Sequence, residues 1–199
     1  MVDDHALLRD GIVAAIQAQR DMVVVGEASD GREAIESFRK HRPDVTLMDL
    51  QMAEMSGLEA MRTIRAEFPS ARILVLTTYK GDGPARAALE AGAVGYLLKA
   101  TLRKELVDAI RSVHAGRRRI DPEVATEIAE HVAEEPLSAR EIEVLQCLAA
   151  GSSNKAAARK LGISDETVKT HVTSILAKLH AQDRTDAVLI ALKRGVIAI

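Results

Sequence analysis

Residues 44–49, DVTLMD, set four apolar or β-branched side chains in a row between two carboxylates. A run this short and without polar alternation reads as a strand buried on both faces, the kind found in parallel sheets covered by helices. Outward from it the same unit recurs. On the C-terminal side, residues 57–68 carry Leu58, Met61 and Ile64 at helical spacing, 72–77 (RILVLT) reads as a strand, 84–90 as a helix, and 95–98 (GYLL) as a strand. Leu106, Ile110 and Val113 then mark one more helix face. On the N-terminal side, a helix through Ala34, Ile35 and Phe38 stops before Pro43, 22–28 (MVVVGEA) reads as a buried strand, and Leu7, Leu8, Ile12 and Ile16 share a helical face. Alternation of this kind predicts right-handed crossovers and a doubly wound α/β parallel sheet over residues 1–115.

After Gly116 the pattern changes. Arg117, Arg118, Arg119, Pro122 and Pro136 frame one polar helix over 123–132, read as a linker spanning 116–136. Its arginine run is either a solvated face or a contact to a nucleic-acid backbone. Residues 137–199 read as all-helical, with turns at Gly151, Gly162 and Ala181.

Composition fits two small domains. The chain has 199 residues, 47% apolar and 28% charged, as expected of a soluble globular protein. No apolar run approaches the ~18 residues of a membrane span, so no membrane partner is expected. A single cysteine, Cys147, excludes an internal disulfide and fits a cytoplasmic location. Cys147 shares an apolar face with Ile142, Leu145 and Leu148, which favours core packing over a reactive thiol. The net charge of -2 divides unevenly, +3 over residues 137–199 and -5 before them, making nucleic acid a candidate partner for the basic tail.

Functional residues of open α/β sheets gather at the carboxyl ends of strands. Asp3 and Asp4, Asp49, Thr77 and Lys99 all fall there. Each alone would be a turn or surface residue; together they fit phosphoryl transfer to a carboxylate. In that chemistry Asp49 is the nucleophile, Mg²⁺ is held by a few carboxylates and water, Lys99 pairs with phosphoryl oxygens, and Thr77 offers a hydroxyl to the new phosphate.

The stretches VDDHALLRDGI, DVTLMDLQMAEMSGLEA, ILVLTTY and GAVGYLLKA resemble the receiver domain of two-component response regulators over residues 2–115. The resemblance implies Asp49 as phosphoacceptor, Asp4 as a direct Mg²⁺ ligand with Asp3 beside it, the Gln51 carbonyl as a further ligand, and Thr77, Lys99 and Tyr96 as switch residues. Two departures stand out. The family's Met-Pro-x-Met-Asp-Gly loop is here Met52-Ala53-Glu54-Met55-Ser56-Gly57, which is expected to loosen it. The family's hydrophobic first strand, central in the sheet, is also missing before Asp3, and Val2 alone is not expected to supply it. Either the natural start lies upstream, the preferred reading, or the receiver is impaired.

In the tail, Ser138 and Glu141 have capping-box spacing. A short helix over 154–161, a Gly162-Ile163-Ser164 turn and a helix over 165–179 form a helix-turn-helix arrangement. At ~100° per residue, Val168, Val172, Ile175 and Leu179 make one apolar stripe, while Lys169, Thr170, Thr173 and Ala177 share an arc suited to a major groove. Residues 137–188 resemble the LuxR-type helix-turn-helix nearly position for position. That implies base contacts at Lys169, Thr170 and Thr173, phosphate contacts at Thr167, Lys178, Asn154 and Lys155, and a dimer face at Val188, Ala191 and Leu192. His171 matches a signature position and is read as packing or backbone contact. Ala157 replaces a bulkier aliphatic and is expected to thin the packing below the first helix.

The expected protein is a response regulator of the NarL/FixJ type, not an enzyme: a sensor histidine kinase phosphorylates Asp49 and a homodimer binds double-stranded DNA. A constitutive DNA-binding regulator with a silent receiver stays open. A phosphatase using Asp49 is disfavoured, because Gln51 stands where a general acid would be needed.

Overall fold

The structure, a computed structural model, describes residues 1–78, 81–131 and 135–197. Tyr79 of the ILVLTTY stretch and Val132, the end of the expected linker helix, lie outside them. The chain forms two compact units, Met1–Lys80 with Ala85–Ala125, and Gly81–Pro84 with Thr126–Ile199.

Elements follow in the order α1 (Ala6–Gln17), α2 (Gly31–His41), β1 (Thr46–Asp49), α3 (Gly57–Glu67), β2 (Ile73–Thr77), α4 (Asp82–Glu90), β3 (Gly95–Leu98), α5 (Leu102–His114), β4 (Arg119–Ile120) and α6 (Pro122–Glu130). The strands form one parallel sheet in the order β1-β2-β3-β4. Every residue of β1, β2 and β3 is buried, as the lack of polar alternation requires. Leu47, Leu74, Leu76 and Leu97 pack with Ile12 and Ile16 of α1 and Leu102, Leu106, Ala109 and Val113 of α5. Strand alternation turns Met48, Val75 and Tyr96 to the other face, and α2 and α3 bury Ala34, Ile35, Phe38, Ala60, Met61 and Ile64.

Two expectations need correction. The strand over residues 22–28 does not form; only Ala28 joins the sheet, bridging Val2. Among the described residues this segment bridges only at Ala28, through Val2 and its neighbours, and Val23 is 78% exposed instead of buried. Val2, as expected, supplies no strand, only isolated bridges. It bridges Ala28 and Met48 at once, its N–H donating to the Leu47 carbonyl (2.9 Å) and its carbonyl accepting from Asp49 N–H (3.0 Å). One ladder residue thus seats the acidic pair beside β1.

The second correction concerns the linker. Gly95 pairs with Arg119 and Tyr96 with Ile120, so the sheet gains an edge strand beyond residue 115 and the first unit runs to Ala125. Arg119 is drawn in by Glu105 (2.7 Å), and Asp121, 1% exposed, accepts from Thr101 Oγ1 (3.1 Å).

The second unit holds α7 (Ala139–Ala149), α8 (Asn154–Leu161), α9 (Asp165–Lys178) and α10 (Arg184–Lys193). Ser138 and Glu141 form the expected reciprocal capping box at α7. Gly162 closes α8 in the left-handed region (φ 67°), and Ser164 caps α9 through Thr167 N–H. Val144, Leu145, Cys147, Leu148, Ala157, Val168, Ile175 and Leu179 build the core, which places Cys147 in packing.

Candidate phosphoacceptor site and nucleic-acid interface

Asp49 ends β1, Thr77 ends β2, Lys99 follows β3, and Asp3 follows the single ladder residue Val2. The parallel sheet therefore brings four sequence-distant groups to one edge. Lys99 Nζ lies 2.7 Å from Asp49 Oδ2 and 2.8 Å from Asp3 Oδ2. Asp49 and Asp3 are 3% and 0% exposed, so the cation neutralises two carboxylates away from water. Burial pushes the Asp49 carboxyl up, against the Lys99 hydrogen bond that lowers it. Burial pulls Lys99 down, but the adjoining Asp3 and Asp49 carboxylates outweigh it and raise it.

The ligand atoms of Asp3, Asp4, His5 and Asp49 all lie within 4.8 Å of one another. Asp3 Oδ2, although ion-paired, has no hydrogen bond of good geometry. A buried, under-coordinated carboxylate oxygen beside two more carboxylates suits a hard cation that takes oxygen ligands. His5 was not singled out from the sequence. Its Nδ1 lies 2.8 Å from Asp4 Oδ1 and its N–H donates to Asp3 Oδ1 (2.9 Å), so it orients the acidic pair. Direct adjacency, Asp-Asp-His, was the available signal. Arg9 also contributes, donating to the Asp3 carbonyl at 2.7 Å.

The loop after Asp49 is pinned. Gln51 N–H donates to Asp49 Oδ1 (3.2 Å), Gly57 N–H to the Leu50 carbonyl (3.0 Å), and Gly31 N–H to the Met55 carbonyl (3.2 Å). A Cβ on Gly57 would overlap the Asp49 carbonyl oxygen, so α3 approaches the site this closely only with glycine there. Tyr96 is fully buried. Burial pushes its hydroxyl up to about 12, and the neighbouring Thr77 hydroxyl offsets part of that, although the Tyr96 oxygen makes no hydrogen bond of good geometry.

In the second unit, α9 buries Val168 and Ile175 and exposes Lys169, Thr170, Thr173 and Ala177, the arc expected to face a groove. Thr170 and Thr173 hydroxyls donate back to the Glu166 and Lys169 carbonyls (3.1 Å each), leaving their lone pairs outward. Lys169 Nζ lies 3.2 Å from Glu166 and 3.6 Å from Asp165. Thr167 and Lys155 are exposed and Asn154 is half-buried.

Lys178 is differently placed. Its side chain is 15% exposed and ion-pairs with Glu141 and Glu135, each at 3.0 Å. Glu141, 4% exposed, also accepts from Ser174 Oγ (2.6 Å) and Ser138 N–H (2.7 Å). Burial alone would raise the Glu141 carboxyl; these bonds reverse that and hold it at about 2. On α10, Ala191 is fully buried in the core and has no surface to give a partner, which corrects its place in the expected dimer face. Val188 and Leu192 are half-buried, and Leu189, which the sequence reading passed over, is 60% exposed.

Two family models match the chain, the response regulator receiver domain over residues 1–111 and the luxR family of bacterial regulatory proteins over 135–191. The transcriptional regulatory protein YxjL of Bacillus subtilis is 44% identical over 209 residues, covering 99% of this chain and 95% of its own. The response regulator protein VraR of Staphylococcus aureus is 40% identical over 201 residues, covering 98% and 96%. The structure of RcsB from Salmonella enterica serovar Typhimurium, bound to promoter P1flhDC in the presence of phosphomimetic BeF3-, superposes with a TM-score of 0.73 at 26% identity, covering 98% and 96%. The chain belongs to the response regulators, with a receiver domain followed by a LuxR-type DNA-binding domain.

Proposed function

We propose that Asp49 is the phosphoacceptor and that a sensor histidine kinase is the donor. The observation that carries this is the Lys99 ammonium held between the buried carboxylates of Asp49 and Asp3. A carboxylate oxygen of Asp49 attacks the phosphorus, the bond to the donor's imidazole nitrogen breaks, and an acyl phosphate forms. Lys99 then exchanges a carboxylate for phosphoryl oxygens. Thr77 donates its hydroxyl to the phosphate, and Tyr96 repacks as Thr77 moves. Asp3, Asp4, Asp49 and the Gln51 carbonyl would hold Mg²⁺, with His5 keeping Asp4 in place. When bound, Mg²⁺ neutralises charge on the transferring group. Because Val2 seats Asp3 against β1, this reading is favoured over a silent receiver.

Lys169, Thr170 and Thr173 read base edges of double-stranded DNA, with Thr167, Lys155 and Asn154 on phosphates and Lys178 positioning α9 from behind. Val188, Leu189 and Leu192 form the contact of a homodimer on DNA. Acetyl phosphate with MgCl₂ should label the protein and fail to label Asp49→Asn. Undiminished labelling of that variant would overturn the assignment. Footprinting with and without phosphorylation tests the coupling to DNA.

A further inference from the structure

His5 brings a nitrogen into a cluster of carboxylates. It is the residue before α1, and its N–H donates to Asp3 Oδ1 (2.9 Å), a turn that folds the imidazole back over the two residues preceding it. Nδ1 comes to rest 2.8 Å from Asp4 Oδ1 and 3.5 Å from Asp3 Oδ1. One ligand atom from each of Asp3, Asp4, His5 and Asp49 lies within 4.8 Å of all the others. Ligands on opposite sides of one ion, at bond lengths of ~2.0–2.2 Å, stand about 4.0–4.4 Å apart, so small shifts let these four atoms share a cation. Two further features favour an ion there. Asp3 Oδ2 is buried and, beyond its ion pair with Lys99, lacks a hydrogen bond. Three carboxylates and the Lys99 ammonium leave two negative charges, which a divalent ion matches. The imidazole, 72% exposed, adds a donor at little desolvation cost and, as the neutral ring, adds no charge.

We propose, resting on the reading of this cluster as a cation site, that His5 Nδ1 is itself a ligand and makes the site prefer Mn²⁺ and its first-row neighbours to Mg²⁺. Mg²⁺ is a hard ion that seeks oxygen and gains little from a nitrogen donor. Transition ions accept imidazole readily, so one nitrogen among oxygens shifts the balance toward them. The neutral ring carries its proton on either nitrogen, and with the proton on Nε2 the Nδ1 lone pair can bind the ion. The contact that Nδ1 makes with Asp4 is then replaced by an ion that both residues hold.

The test follows Mn²⁺ on the full chain, His5→Ala and Asp4→Asn by electron paramagnetic resonance, with MgCl₂ as competitor. Displacement by Mg²⁺ reports the ratio of the two affinities at the site they share. His5→Ala should lower the preference for Mn²⁺ by about tenfold. Pulsed spectra of the Mn²⁺-loaded protein should show coupling to an imidazole nitrogen that disappears in His5→Ala. A ratio unchanged by that substitution, with both ions weakened alike or not at all, would reduce His5 to positioning Asp4 and overturn the proposal, as would the absence of nitrogen coupling. Either result leaves the cation-site reading standing, whereas Mn²⁺ bound no tighter by the unaltered chain than by Asp4→Asn would overturn both.

Discussion

The Lys99 ammonium bonds Asp49 Oδ2 at 2.7 Å, the two residues reaching each other from the ends of β3 and β1 across the intervening β2. Removing the cation leaves two buried carboxylates facing each other. Lys99→Ala should therefore lose about 3 kcal/mol of stability in chemical denaturation without divalent cations. MgCl₂ should return part of that loss by supplying the missing positive charge. An equal deficit with and without MgCl₂ would argue against a cation site at the acidic cluster.

Two glycines should respond with opposite signs. A methyl at Gly57 collides with backbone of Asp49 and Leu50, so Gly57→Ala should cost about 1–3 kcal/mol and slow labelling by acetyl phosphate. Gly11 lies inside α1 with nothing within 4 Å of a new Cβ, and Gly11→Ala should stabilise by about 0.5–1 kcal/mol. Thermal melts of the two variants, side by side, check both.

Glu141 sets an acid limit on the DNA-binding domain. Its carboxyl is held at about 2 in the fold, below its ordinary value of 4.5. A depressed folded value contributes stability that is complete above about pH 4.5 and lost as the pH falls toward 2. Glu141→Gln should destabilise this domain by about 1–3 kcal/mol at pH 7 and by much less near pH 2.5, read by urea melts at the two pH values.

Lys169 and Lys178 should separate specificity from support. Lys169→Ala should weaken target binding by about 5- to 150-fold, or ~1–3 kcal/mol, with little change in Tm. Lys178→Ala should lower Tm through the loss of its bonds to Glu141 and Glu135. A larger specificity loss in Lys178→Ala than in Lys169→Ala would reverse the two roles.

The sheet was legible in the sequence wherever a strand is buried on both faces, because burial removes the polar alternation that would blur it. β1, β2 and β3 fall within a residue of their expected bounds. The segment 22–28 misled for the same reason: its valines have the propensity of a core strand, but strand formation also depends on a neighbour that composition does not reveal. β4 was missed because two residues, one an arginine, carry no pattern; only the exposed edge of β3 makes them a strand. That Asp3, Asp49, Thr77 and Lys99 gather at one end of the sheet was readable from their positions at strand ends. His5 and the clasp on Lys178 were not, since both depend on which side chains meet in space. Ala191 was assigned outward by family position, whereas its burial follows from the packing of α10.

Edge strand β4 has a practical consequence for anyone building chimeras from this receiver. Asp121 N–H donates to the Tyr96 carbonyl (2.8 Å), so the chain leaving the sheet is stitched to the strand that carries the buried tyrosine. A fusion junction at residue 115 would strip Gly95 and Tyr96 of their neighbour and expose a sticky edge. A junction beyond Asp121 keeps the strand and its bond to Tyr96 with the sheet it belongs to.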